Sequence, residues 1–570
     1  MSEIATSTPR PSSPLDQIAE DYVKRVAELS PQFATVQGLS GHHDELDDYS
    51  PAGLDALAAL NTQTLTAARK APLTDAIDEV TLAAMEERMG LSSQLHERGE
   101  DLRALNNIAS PVQDIRDFFD LVPTSTDEDW ANIASRLSKV PAAMAGYRES
   151  LSLAASRGMV SARRQVEACI NQALSQADQA ESSFSALVNS AENVSPALRS
   201  ELEAAAAQAR GAYADLAAFL KEDLLPQAPT EDACGRERYE LFSQDAIGAR
   251  IDLDETYEWG RERLAAIDAE QRQIAEELYG PGVSVREALE RLNNDPAHQI
   301  HGVAALQEWM QSTSDQAIAD LDGVHFDVPK PLKTLNCKIA PSSTGGIYYT
   351  GPSDDFSRPG AMWWSVPAGT TTFAAWQERT TVFHEGVPGH HLQVGLQTYH
   401  RDLLNSWRRM CCWVSGHGEG WALYAERLMA DLGYQDNPAD RMGMLDSQRL
   451  RAARVVLDIG VHLGKERPSE LASLPGVGEG RWDRDSAWAF LTHNVAMAES
   501  FLAYELTRYL GWPGQAPSYA VGQRLWEQIR DERAAAAKAR GEEFSLKDFH
   551  MEALSLGSVG LDVMRQALVH

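Results

Sequence analysis

Eight residues restrict this chain more than any others: His384-Glu385-Gly386-Val387-Pro388-Gly389-His390-His391. A His-Glu pair followed by a second His is how helices build a hydrolytic zinc site, with two imidazoles on the ion and the carboxylate activating water. The run before it, with Trp376, Val382 and Phe383, reads as a buried helix. The familiar spacing places two residues between the Glu and the second His, whereas four stand here. On an unbroken helix His390 would point about 120° away from His384. His391 would return to the right face but lie about 10 Å along the axis, too far for both imidazoles to share one ion at about 2 Å. Pro388 lacks an N–H and clashes with the preceding turn, and Gly389 tolerates positive φ. The pair predicts a helix that deforms at Pro388-Gly389 and folds the second His back toward the first. The competing reading is a surface helix that ends at Pro-Gly with incidental histidines.

A third ligand is expected from a downstream helix. Ser415-Gly-His-Gly-Glu419-Gly-Trp-Ala-Leu-Tyr-Ala-Glu426 opens an apolar helix soon after His391. Glu419 is the candidate ligand, because its glycine neighbours admit close approach. Glu426 lies about two turns on and could orient a ligating imidazole, or be a solvated surface carboxylate. His417 reads as a loop residue. Arg454, Asp458 and His462 fall at i, i+4 and i+8 on one face of another apolar helix. If buried they should pair with one another, and they could line a cleft and support the ligands. Amide hydrolysis also needs donors aimed at the developing oxyanion. Tyr519, Arg508, Tyr509 and His550 are the available ones. Tyr348 and Tyr349, with Arg358 beyond, are candidates for holding substrate backbone.

The chain has 570 residues, enough for two to four domains or one large architecture. Its net charge of −32 makes nucleic acid and anionic membranes poor partners. Five cysteines without a CxxC point to a reducing compartment and to neither disulfides nor a thiolate metal site. No apolar leader and no run of about 18 apolar residues stand out, so a soluble, cytoplasmic protein is expected.

Residues 1–14 are rich in Ser, Thr and Pro and are expected to be a disordered tail. From residue 15 to about 330 amphipathic stripes recur, and Ser195-Pro196 is a strong helix start. Composition then shifts. Residues 332–367, with LNCKI, GGIYYTG and AMWWSVP, read as a small antiparallel sheet beside the His384 helix. After Trp413 the pattern is helical again, interrupted around 465–482 and 511–517. The expected class is mainly α, with a helical half over 15–330 and a catalytic half over 331–570.

HEGVPGHHLQ, EGWALYAERL, the Arg-x3-Asp-x3-His helix, ELTRYLGWPGQAPSY and FHMEALSLGSVGL together resemble the bacterial "domain of unknown function 885" family, regarded as zinc-dependent metallopeptidases. The resemblance runs over roughly residues 15–568. It implies a helical fold similar to oligoendopeptidases, angiotensin-converting enzyme and thermostable carboxypeptidases, with a deep cleft between two helical halves. Carried over, His384 and His390 become zinc ligands, Glu385 the general base and Glu419 the third ligand. The His391 position looks variable in the family, which favours His390. The expected protein is a one-zinc hydrolase of short peptides, of carboxypeptidase, dipeptidase or oligopeptidase type. Its rivals are a zinc amidase or esterase and a non-catalytic binding protein on the same scaffold.

Overall fold

The computed structural model describes residues 10–340 and 346–569. Helix makes up 66% of it and strand 4%, which places the fold in the mainly α class.

The helix starts follow local chemistry. Ser13 opens the first helix, Pro14–Leu29, with a capping box and Pro at the first helical position. Ser195 accepts a hydrogen bond from the Leu198 N–H and starts Pro196–Phe219. Residues 10–13 are not the tail expected from composition. Arg10 pairs with Asp16, Asp75 and Asp78, and Ser13 donates to Asp78 at 2.7 Å, so charge ties this segment to the helix Ala76–Glu97. The rest of the expected tail, residues 1–9, lies outside the described residues.

The apolar cores do not divide the chain at residue 330. One core draws on residues 105–228, with Leu137, Val166, Phe184 and Tyr213 at its centre. The other joins the N-terminal helices to everything from Tyr239 onward. Buried polar contacts explain why the first helices side with the C-terminal part of the chain. Asn405 donates to Asp16 at 2.9 Å and Arg408 to Thr81 at 3.1 Å. Gln165 then links the separate bundle to the Thr507 carbonyl at 2.8 Å.

Among the described residues five short strands form two sheets. β1 (Gln299–His301) pairs antiparallel with β5 (Thr372–Ala374). β3 (Ile347–Thr350) pairs antiparallel with β4 (Gly360–Trp364), as the aromatic runs predict. β2 (Leu335–Ile339) adds to the far edge of β4 but runs parallel to it, so the three-stranded sheet is mixed. β5 leads straight into the helix Ala375–Glu385. Among the described residues no helix is long and apolar enough to cross a membrane.

Candidate metal centre

The helix Ala375–Glu385 stops at Glu385, and a new one, His390–Tyr399, begins at the second His. The break is the one that the spacing demands. Gly389 does not take the positive φ expected of it, however; its φ is −71°. Glycine is required there for space. A Cβ on Gly389 would fall 1.9 Å from the His384 carbonyl oxygen and 2.4 Å from that of Phe383. The Gly389 N–H donates to the Phe383 oxygen at 3.1 Å, and the buried Trp421 indole donates to the Pro388 oxygen at 2.8 Å. The loop is pinned from both sides.

This turn brings the two imidazoles edge to face, with ring centroids 4.9 Å apart. Glu419, on the helix Ser415–Asp431, completes the cluster. Its Oε2 lies 3.3 Å from His384 Nε2 and 3.7 Å from His390 Nε2, and one ligand atom from each of the three residues falls within 4.8 Å of the others. Tetrahedral zinc with bonds of about 2.0–2.1 Å holds neighbouring ligand atoms roughly 3.3 Å apart. The donor set fits such an ion. The glycines around Glu419 have separate tasks. A Cβ on Gly418 would strike the Trp413 ring at 2.3 Å, and one on Gly420 would strike the Gly522 backbone at 2.5 Å.

Each imidazole is oriented from behind. His384 Nδ1 lies 2.7 Å from Glu426 Oε1, which leaves Nε2 facing the centre. Glu426 is 1% exposed, which excludes the surface role, and it also accepts from Thr380 at 2.7 Å and from Ser447 at 3.3 Å. His390 Nδ1 lies 3.2 Å from Gln393 Oε1, whose amide nitrogen lies 3.0 Å from His417 Nδ1. If His390 Nδ1 carries the proton, Gln393 must donate to His417, and His417 must carry its own proton on Nε2. His417 is thus a helix residue behind the site and not a loop residue. Burial opposes charge on His384, yet its hydrogen bonds to Glu419 and Glu426 raise its pKa to about 10. Burial likewise opposes the Glu419 carboxylate, but both imidazoles hold it well below the usual range. The cluster favours positive charge at its centre. Replacing Glu426 by Gln is expected to weaken zinc binding about 10–100-fold, measured by competition with a chelator. An unchanged affinity would remove Glu426 from this role.

Residues 31–568 match the family described as "Bacterial protein of unknown function (DUF885)". The chain belongs to this family. None of the curated proteins matches it. Its fold recurs in a crystal structure from Colwellia psychrerythraea described as a "putative lipoprotein". The TM-score is 0.83 at 21% identity, over 97% of this chain and 98% of that one. It recurs too in a "putative lipoprotein of unknown function" from Shewanella oneidensis, with TM-score 0.72 at 16% identity, over 98% of this chain and 100% of that one. At these identities the likeness is one of fold alone.

Within this DUF885 chain the remaining candidates separate sharply. Glu385 is 7% exposed, its carboxylate takes no hydrogen bond from a described residue, and burial raises its pKa despite the two imidazoles beside it. Tyr519 is half-buried, and burial and the Glu419 charge raise its pKa, so its hydroxyl stays protonated. Arg454 stacks 5.0 Å from the Tyr519 ring and donates to Tyr509 and Glu505, each at 2.7 Å. Arg508 and Tyr509 donate to the same Glu505 oxygen at 2.8 and 2.6 Å. Arg508 also donates to Gln515 at 2.9 Å.

Packing sets the partners of the other candidates. Of Arg454, Asp458 and His462 only the last two approach each other, His462 Nε2 lying 3.9 Å from Asp458 Oδ1, while Arg454 pairs with Glu505. Asp458 accepts from Tyr239 at 2.7 Å and from the Gly514 N–H at 2.8 Å, while His462 bonds the Tyr509 carbonyl at 3.0 Å. Asp458 and His462 fasten neighbouring segments and do not touch the ligands. His391 bridges the Tyr349 hydroxyl at 3.0 Å and the Leu332 carbonyl at 2.8 Å, so His391 and Tyr349 clamp the sheet to the helix His390–Tyr399. Tyr348 is exposed and stacks on Trp363, and Arg358 is exposed too. His550 Nε2 lies 2.8 Å from the Tyr424 hydroxyl, and its ring stacks on Phe326. Burial pushes its pKa down to about 3.

Glu505, Gln393 and Thr380 went unnoticed in the sequence. Thr380 stands four before His384 and Gln393 three after His390, each one helical turn from a ligand, which is the signal that could have found them. Glu505 offered none. Burial opposes its charge, but Arg454 and Arg508 hold its pKa near about 2. A depressed carboxyl pKa contributes stability above its unfolded value, and this is lost as pH falls through the folded one. Replacing Glu505 by Gln strands two buried guanidinium groups and should cost about 3–5 kcal/mol at neutral pH. In urea unfolding, the gap between parent and variant should narrow from about pH 4.5 toward 2. A gap independent of pH would refute the pairing.

Proposed function

We propose that this chain is a zinc-dependent peptidase of short peptides. The observation that carries the reading is the convergence of His384, His390 and Glu419 at ligand spacing beside Glu385, whose carboxylate has no hydrogen-bond partner among the described residues. His384 and His390 would hold the ion through Nε2 and Glu419 through a carboxylate oxygen. When bound, zinc supplies Lewis acidity, lowering the pKa of a water and polarising a carbonyl.

The chain's own residues supply the remaining chemistry. Glu385 takes the proton of the attacking water as oxygen adds to the scissile carbonyl carbon. The C–N bond then breaks, and Glu385 returns that proton to the leaving nitrogen. With no competing hydrogen bond from the described residues and a pKa raised by burial, Glu385 suits both transfers. The protonated Tyr519 hydroxyl, held beside Glu419 and over Arg454, is the donor placed for the developing oxyanion. Arg454, Glu505, Arg508 and Tyr509 act through Tyr519 by fixing its ring.

The test combines metal analysis of the purified protein with mass-spectrometric digestion of a peptide mixture, run beside a panel of simple amides and esters. Stoichiometric zinc and peptide cleavage are expected. Cleavage confined to the panel would exchange the peptide for a small-molecule substrate. A metal-free chain that cleaves nothing would overturn the reading.

A further inference from the structure

Glu419 is also one of the residues that line a cavity of about 470 Å³, together with Tyr22, Met89, Phe242, Trp407, Trp413 and Trp512 from distant parts of the chain. The polar groups in the walls are already committed. Tyr22 donates to Asn61 at 2.8 Å, Asn61 to Ser92 at 3.1 Å, and Ser415 pairs with Ser518 at 2.8 Å. Arg88 is neutralised by Glu87 and Asp245, and Gln515 accepts from Arg508 at 2.9 Å. What remains uncommitted is aromatic surface. Trp413 is 51% exposed, and none of the three tryptophan N–H groups has a hydrogen-bond partner among the described residues. Gly418 fixes the Trp413 ring against the helix, one residue before Glu419.

We infer that this cavity receives an aromatic or large apolar side chain next to the scissile bond of the substrate. The inference rests on the peptidase reading, since it takes the substrate carbonyl to lie beside Glu419. Three features select the occupant. The cavity is about three times the size of an engineered one that takes benzene, so a ring and its flanking peptide unit both fit. The charged residues among the described lining already have partners, Arg88 with Asp245 and Glu419 with the two imidazoles. The exposed Trp413 indole offers its N–H to a peptide carbonyl and its face to the ring.

Binding of N-acetyl-phenylalanine, N-acetyl-glycine and N-acetyl-glutamate to the zinc-loaded protein tests this, by calorimetry and tryptophan fluorescence. At least about tenfold tighter binding of the phenylalanine probe than of glycine is expected, from burial of one ring. Trp413→Ala should cut that ratio to below about threefold, and Trp512→Ala repeats the test from a second residue of the lining. Equal binding of all three probes, a preference for glutamate, no binding at millimolar concentration, or a ratio untouched by both variants would each overturn it. The measurement needs no turnover. A protein that binds as expected but cleaves nothing would sink the peptidase reading alone, and one that cleaves peptides without aromatic preference would sink only the present inference.

Discussion

Glu385→Gln is expected to lower turnover by about 10²–10⁴-fold while zinc remains bound. Glutamine keeps the shape of the side chain but cannot accept a proton, so the loss isolates proton transfer from binding. Folding should not suffer. The Glu385 carboxylate takes no hydrogen bond from a described residue, and burial raises its pKa. Its ionised form therefore costs stability above its unfolded pKa, and glutamine removes that cost. The check is kcat on a cleaved peptide, with zinc content and thermal midpoint measured on the same preparation. Unchanged turnover would remove Glu385 as the base. Lost zinc would place it among the ligands.

Gly389→Ala should abolish the metal centre without altering any ligand. Its Cβ would meet the His384 carbonyl oxygen at 1.9 Å, the Phe383 carbonyl oxygen at 2.4 Å and the His384 carbonyl carbon at 2.6 Å. All three belong to the backbone of the helix carrying the first ligand, so no side chain can rotate aside. The second ligand helix must move, and a displacement of about 1 Å at a catalytic centre costs on the order of 10²-fold in rate. We expect at least that loss in turnover, a comparable loss in zinc affinity, and a destabilisation of a few kcal/mol in the metal-free chain. Gly211→Ala is the control. Gly211 lies inside the helix Pro196–Phe219 with nothing within 4 Å of an added Cβ, and alanine there should be neutral or stabilising by roughly 1 kcal/mol. Equal zinc affinity in the two variants would show that the loop tolerates repacking.

Much of the centre was legible in the residues because local geometry left few choices. Two imidazoles six residues apart cannot share an ion on a straight helix, so the Pro-Gly pair had to break it. Glu419 followed from its glycine setting, although the reason differs on each side: Gly418 makes room for Trp413 and Gly420 for the Gly522 backbone. The mixed sheet was legible only as far as its aromatic and β-branched runs. Strand direction depends on how β2 returns to β4, and no local preference encodes that.

The outer contacts behaved differently. Arg454, Asp458 and His462 share one helix face in sequence, yet each is satisfied by a different neighbour. Helical spacing says which residues look the same way. It does not say what they look at. His550 and His391 carry the right chemistry for a site, and their partners are Tyr424 for the one and Tyr349 and Leu332 for the other.

By itself the sequence determined the helical class and the break between His384 and His390, because each rests on interactions within a few residues; the choice of His390 over His391 came from the family resemblance, and Glu419 from its glycine setting. Only the tertiary structure decided that Arg10 belongs to the fold, that Thr380 and Glu426 steady His384 while Gln393 and His417 steady His390, and that Glu505 gathers Arg454, Arg508 and Tyr509 beneath Tyr519. These contacts join residues up to hundreds of positions apart, as Asn405 and Asp16 do. They are selected by the need to pair every buried polar group, and that need is met only when the helices have packed.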